Sequence, residues 1–238
     1  DLYNINIITK KEYLALLRSE RFLSKTRFLL HYFHDKPEER LYFSNQKKLA
    51  ELFGHDCRTN TGVEKFMQNF YKHIANIKQL NEILIKHIEN SIDEKENDKN
   101  KIIIKDFYIK NNSISLINKN VFINNPSKIF EIFLLKNQDG DLYDISANTI
   151  RYIRESLYLI DKNFRANTEN KKLFISVFYQ KKGVASCLRK MNDYGVLAAY
   201  LKSFSKIVGM MQFDLFHIYT VDEHTLSCLL YTSPSPRD

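Results

Sequence analysis

Residues 63–88, VEKFMQNFYKHIANIKQLNEILIKHI, decide the fold class. Val63, Phe66, Met67, Phe70, Ile74, Ile77, Leu80, Leu84 and Ile88 recur at alternating steps of three and four. That spacing lines them along one side of an α-helix. So long a stripe belongs to a bundle helix packed on neighbours, not to a cofactor box. Thr61-Gly62-Val63-Glu64 is placed to cap its start, with a hydroxyl three residues ahead of a carboxylate. Upstream, Thr9-Lys10-Lys11-Glu12 is a second capping box, and Tyr13, Leu16, Leu17, Phe22, Phe28 and Leu29 follow at mostly helical spacing. They predict a helix over about 10–34, ending before Pro37. Ser44 is expected to cap a shorter helix through Leu52, closed by Gly54.

Downstream of the stripe, SIDEKENDKNK (91–101) is a polar, charged run that reads as a linker. It separates a helical bundle domain (1–90) from a helical connector (102–213). Within the connector, IIIKDFYI (102–109) and ISLI (114–117) flank Lys110-Asn111-Asn112-Ser113, a turn signal that predicts a short β-hairpin. Asn125-Pro126 starts a helix with proline at its first position. Further helices are expected at about 146–160, 168–180, 184–193 and 204–213, punctuated by Gly183 and Gly195. The expected class is mainly α, a helical bundle domain plus a helical connector with one hairpin.

At 238 residues, with 44% hydrophobic and 13% aromatic content, the chain can bury a sizeable core. No apolar run approaches the ~20 residues of a membrane span. The densest, IFEIFLL (129–135), carries Glu131. Cys57, Cys187 and Cys228 show no paired spacing, which suggests reduced thiols in a cytoplasmic protein rather than a disulfide frame or zinc site. A net charge of +8 would permit a nucleic-acid partner. Its arrangement argues against one: Lys47/Glu51, Glu82/Lys86 and Asp161/Arg165 stand at helix spacing and read as solvated faces.

Several side chains are candidates for chemistry. His34-Asp35 and His55-Asp56 are His-Asp doublets, the central signature of metal-dependent HD phosphohydrolases. That superfamily reads His, then His-Asp, then Asp, and both doublets precede His224, so they read as polar loop pairs. Asp139-Gly140-Asp141 imitates the paired carboxylates of nucleotidyltransferases, but no glycine turn and strand precede it, so an exposed turn is expected. His73 and His87 lie among Lys and Glu, and exposure is expected for both. QFDLFHIYTVDEHTL (212–226) is the most informative block. Thr220-Val221-Asp222-Glu223 is a capping box that places His224 on the first turn of a helix. His217, three residues before that cap, reads as a packing histidine. The natural sequence is expected to end near Leu226 or Ser227, with CLLYTSPSPRD (228–238) resembling a translated sequencing adaptor. Asp1, in place of Met, leads to the expectation that the front is missing too.

Taken together, FLSKTRFLLHYF (22–33), ERLYFSNQKKLAELFG (39–54), VEKFMQNFYKHI (63–74), NPSKIFEIFLL (125–135), NTIRYIRESLYLID (148–161) and the stretch from MNDYGVLAAYL to HIYTVDEHTL (191–226) resemble one family. It is the bifunctional PII uridylyltransferase/uridylyl-removing enzymes of bacterial nitrogen regulation. The resemblance implies a large cytoplasmic enzyme: a nucleotidyltransferase, its associated helical domain, an HD hydrolase, then regulatory ACT domains. It implies UTP, the PII protein and glutamine as ligands, and a divalent metal (Mg2+ or Mn2+). On that mapping residues 1–90 finish the helical domain, 102–213 form the connector, and 214–227 enter the hydrolase. His224 corresponds to the first HD metal ligand, with His217 the alternative, and the remaining ligands lie outside this sequence. No membrane or nucleic-acid partner is implied, and the chain alone is expected to be inactive with no metal bound. Lys202 stands where a proline is common and Phe213 where a histidine is frequent. Two other readings remain: a helical interaction module with no enzymatic parent, and the helical part of a glutamine-synthetase adenylyltransferase-like enzyme.

Overall fold

A computed structural model describes residues 7–93, 102–137, 143–213 and 219–232. Thr9 opens α1 (Lys10–His34) with both bonds of the expected box. Its hydroxyl accepts from the Glu12 N–H at 3.2 Å, and the Glu12 carboxylate accepts from the Thr9 N–H at 2.8 Å. Asp35, at a left-handed φ of 50°, ends the helix. α2 (Phe43–Leu52) starts before Ser44, so Ser44 lies inside the helix and does not cap it. α3 (Asn60–Asp93) carries the long apolar stripe. Gly62 is required in its first turn because a Cβ there would overlap the Asp56 carbonyl.

The chain forms two compact units, residues 1–80 with 206–238 and residues 81–205. In the first, Leu30, Leu49, Val63, Phe66 and Met67 are buried together, with Phe22 and Phe53 packed against them. His73 is not the solvated histidine expected from the sequence. Its ring stacks on Phe22 at 4.4 Å and its Nδ1 lies 3.0 Å from the Ser19 hydroxyl. Burial first, and the Arg18 charge second, lower its pKa.

The second unit holds a small sheet, β1 (Ile102–Ile104), β2 (Phe107–Lys110), β3 (Ser113–Leu116) and β4 (Asp144–Ile145), in that spatial order. The first three strands pair antiparallel, and β4 joins β3 in parallel. The single hairpin expected from the sequence is therefore larger. Residues 102–109 fold back at Lys105, which takes a φ of 54°, while Asn111 and Asn112 at 49° and 56° make the turn the sequence signalled. Asparagine tolerates this left-handed geometry better than most residues. Phe107, Ile109, Ile114 and Leu116 are buried on one face of the sheet, leaving Tyr108, Lys110, Ser113 and Ser115 on the other.

α4 (Val121–Asn124) and α5 (Lys128–Asn137) follow, with Asn125 and Pro126 in the turn before α5 rather than inside it. Then come α6 (Ala147–Glu155) with a 3₁₀ turn at Leu157–Leu159, α7 (Lys162–Ala166), α8 (Thr168–Ser176), α9 (Val184–Asp193) and α10 (Val196–Tyr200). Tyr200 collects an aromatic cluster, meeting Phe130 edge-on at 5.0 Å and Phe174 at 4.7 Å. α11 (Lys202–Ile207) is shorter than expected because Gly209, at a φ of 67°, reverses the chain. α12 (Val221–Thr232) runs on through Cys228. Among the described residues no helix is long and apolar enough to cross a membrane. Asp139, Asp141 and His217 lie outside the described residues, as does the 94–101 part of the expected linker.

Candidate functional site

The start of α12 is seated by contacts within the first unit. Gln68, on α3, donates from Nε2 to the carbonyls of Lys206 and Val208, each at 3.1 Å. Gly209 then turns, and its N–H donates to the buried Asp222 carboxylate at 3.1 Å. The Val221 N–H donates to the Met210 carbonyl at 2.8 Å. Asp222 also stands in the first turn of α12, where a carboxylate is favoured by the helix dipole. Nearby, Phe213 stacks on Phe43 at 4.1 Å, and its N–H meets Glu64 Oε1 at 3.4 Å. An aromatic ring thus fills the position where the resemblance leads one to expect histidine.

His224 follows on that first turn with an exposed side chain, its Nε2 lying 3.7 Å from Cys228 Sγ. Among the described residues no group of three or more His, Cys, Asp or Glu side chains could hold a metal ion. The described donors therefore do not fit a complete metal centre; His224 offers one imidazole. The two His-Asp doublets do not supplement it. His34 Nε2 is engaged with Asn45 Nδ2 at 2.8 Å. Asp56 is paired with Arg58, whose hydrogen bonds hold the exposed carboxyl below its ordinary pKa. The His55 ring meets Phe66 edge-on.

The second unit contains a charge cluster that the sequence does not announce. Glu82 and Lys86 read as a solvated helical pair, yet their side chains are only 18% and 13% exposed. Glu82 Oε1 accepts from Lys190 at 2.7 Å and from the Tyr194 hydroxyl at 2.9 Å, and lies 3.0 Å from Lys86. Lys86 continues to Asp144 at 2.8 Å and to the Ile145 carbonyl at 3.1 Å. Burial works against the Glu82 charge, but hydrogen bonds and attraction from Lys190 and Lys86 hold its pKa down at about 2. Burial, and then the negative Glu82, push the Tyr194 phenol upward. Burial acts to lower the Lys190 pKa, but the hydrogen bond to Glu82 and the attraction of Glu82, Asp144 and Asp193 together raise it. With Glu82 held ionised and Tyr194 and Lys190 held protonated near neutrality, this cluster ties α3 to α9 and β4 rather than moving protons.

These parts match models of uridylyltransferase segments. The model described as GlnD PII-uridylyltransferase covers residues 1–85, and the one described as Uridylyltransferase GlnD third domain covers residues 107–200. The chain is 41% identical over 232 residues to the bifunctional uridylyltransferase/uridylyl-removing enzyme of Hydrogenovibrio crunogenus, covering 95% of this chain and 26% of that protein. The like-named protein of Nitrosococcus oceani is 42% identical over 225 residues, covering 93% and 25%. That of Legionella pneumophila (strain Paris) is 40% identical over 220 residues, covering 92% and 26%. The chain belongs to the GlnD family of bifunctional uridylyltransferase/uridylyl-removing enzymes. It spans about a quarter of the length of the curated relatives it matches. No solved structure matches it.

Proposed function

We propose that this chain is the helical middle of a cytoplasmic enzyme that uridylylates the PII signalling protein and removes the same group. In the forward reaction a tyrosine hydroxyl of PII attacks the α-phosphorus of UTP, forming a phosphodiester and releasing pyrophosphate. In the reverse reaction water cleaves that phosphodiester and releases UMP, and glutamine selects between the two. The observation that carries this reading is the 41% identity sustained across 95% of the chain to a protein bearing both activities in its name. His224 is assigned as one ligand of the divalent cation, Mg2+ or Mn2+, that serves uridylyl removal, its partners lying beyond the described residues. The chain itself provides the scaffold and has neither activity alone.

Exchanging this chain for the corresponding quarter of the Hydrogenovibrio crunogenus relative tests the proposal. The chimera is expected to uridylylate PII and to remove the group, while its His224→Ala form keeps the first activity and loses the second. A folded chimera lacking both activities would overturn the assignment of function. Undiminished uridylyl removal by His224→Ala would overturn the assignment of His224. Incubated alone with UTP, Mg2+ or Mn2+ and PII, the chain is expected to give no turnover.

A further inference from the structure

The second unit contains a cavity of about 530 Å³, inside the range of about 300–1,000 Å³ usual for small-molecule sites. Its floor is the polar face of the sheet. Strand register sets Tyr108 opposite Ser115 and Lys110 opposite Ser113, and all four line the space. The beginning of α6 forms a wall through Ser146, Asn148 and Thr149, with Tyr152 one turn further. His87 of α3, and Asn118 and Lys119 after β3, also line it.

This lining has a definite chemistry. Hydroxyls and carboxamides dominate it, nitrogen bases stand among them, and no carboxylate lines it among the described residues. Ser146 does not cap α6 through its side chain, which donates instead to the Thr149 hydroxyl at 2.9 Å. That leaves the positive end of the α6 dipole bordering a basic, hydroxyl-rich hollow. Lysine ammonium groups suit a phosphate as point charges, and a ring of hydroxyls and amides suits a polyol.

We propose that this cavity binds a sugar phosphate, either free or as the sugar-phosphate part of a nucleotide. The phosphate lies toward Lys119 and the start of α6, and the sugar over Ser115, Ser113 and Tyr108. This assignment goes beyond the uridylyl chemistry proposed above and does not rest on it.

Titration calorimetry on the whole chain tests it, with ribose 5-phosphate, a nucleoside 5′-monophosphate and uncharged ribose as probes. Ribose 5-phosphate is expected to bind and ribose is not. A nucleotide binding more tightly than ribose 5-phosphate identifies the nucleotide as the source, and the reverse order identifies the free sugar phosphate. Two variants locate the site. Lys119→Glu changes an exposed position, and Ser115→Val fills the floor with a residue suited to strands. Each is expected to weaken binding by about tenfold or more, with the unfolding midpoint retained as the control for folding. Absence of binding by both phosphorylated probes at millimolar concentration overturns the proposal. So does binding that neither variant weakens, or ribose binding as tightly as its phosphate.

Discussion

Replacing Glu82 by glutamine removes one negative charge and almost no volume, leaving Lys190, Tyr194 and Lys86 gathered around a neutral group. The Glu82 pKa falls from an ordinary 4.5 to about 2 on folding. At about 1.4 kcal/mol per unit, the ionised carboxylate contributes at most about 3 kcal/mol. Because the folded pKa is depressed, that stability is fully present above about pH 4.5 and is lost as pH falls toward about 2. Protonated glutamic acid and glutamine are close isosteres, so the two proteins should converge as the acid titrates. Urea unfolding followed by tyrosine fluorescence suits this chain, which has 14 tyrosines and no tryptophan. Glu82→Gln is expected to be less stable by about 2–3 kcal/mol at about pH 7 and nearly equal to wild type at about pH 2. A gap of the same size at both pH values would show that packing, not charge, makes Glu82 matter, and would refute the argument.

Outcomes for four further variants follow from local geometry. Gly62→Ala reverses the usual sign of a helical glycine-to-alanine change, which ordinarily gains up to about 1 kcal/mol; overlap with the Asp56 carbonyl should lower the melting temperature. Asp222→Ala strands the Gly209 N–H and is expected to cost about 1–3 kcal/mol. It should also speed hydrogen exchange in α12, whereas His224→Ala, on an exposed side chain, should stay within about 0.5 kcal/mol of wild type. Thr9→Ala removes one half of a capping box and should cost about 1 kcal/mol, read as faster exchange of the first amides of α1.

Several elements governed by local chemistry were legible in the sequence. The Thr9/Glu12 box put the start of α1 in place, Pro37 bounded its end, and the three-four stripe announced α3. Elements decided by distant partners were obscured. Residues 102–109 read as one apolar strand because nothing in Ile104-Lys105-Asp106 signals a turn as strongly as Asn111-Asn112 does. Glu82 and Lys86 are spaced like any solvated pair. Only Lys190 and Tyr194, 108 and 112 residues further on, reveal that they are shielded. The position of His224 on the first turn of α12 was readable from Thr220 onward. Its seat on Gly209 and Met210 was not, because a carboxylate that accepts from a backbone N–H thirteen residues away leaves no mark on periodicity.

The Gln68 clamp joins residues 138 and 140 positions apart, and all of 81–205 lies between its halves. A nascent chain leaving the ribosome therefore presents α1 and α2 early but cannot seat α12 until the intervening unit has emerged. Closing so large a loop is entropically cheaper once the insert has already condensed into a compact body. The unit begun first is thus completed last: α1 and α2 are synthesised ahead of the inserted unit, yet their unit closes only when the segment bearing His224 emerges after it.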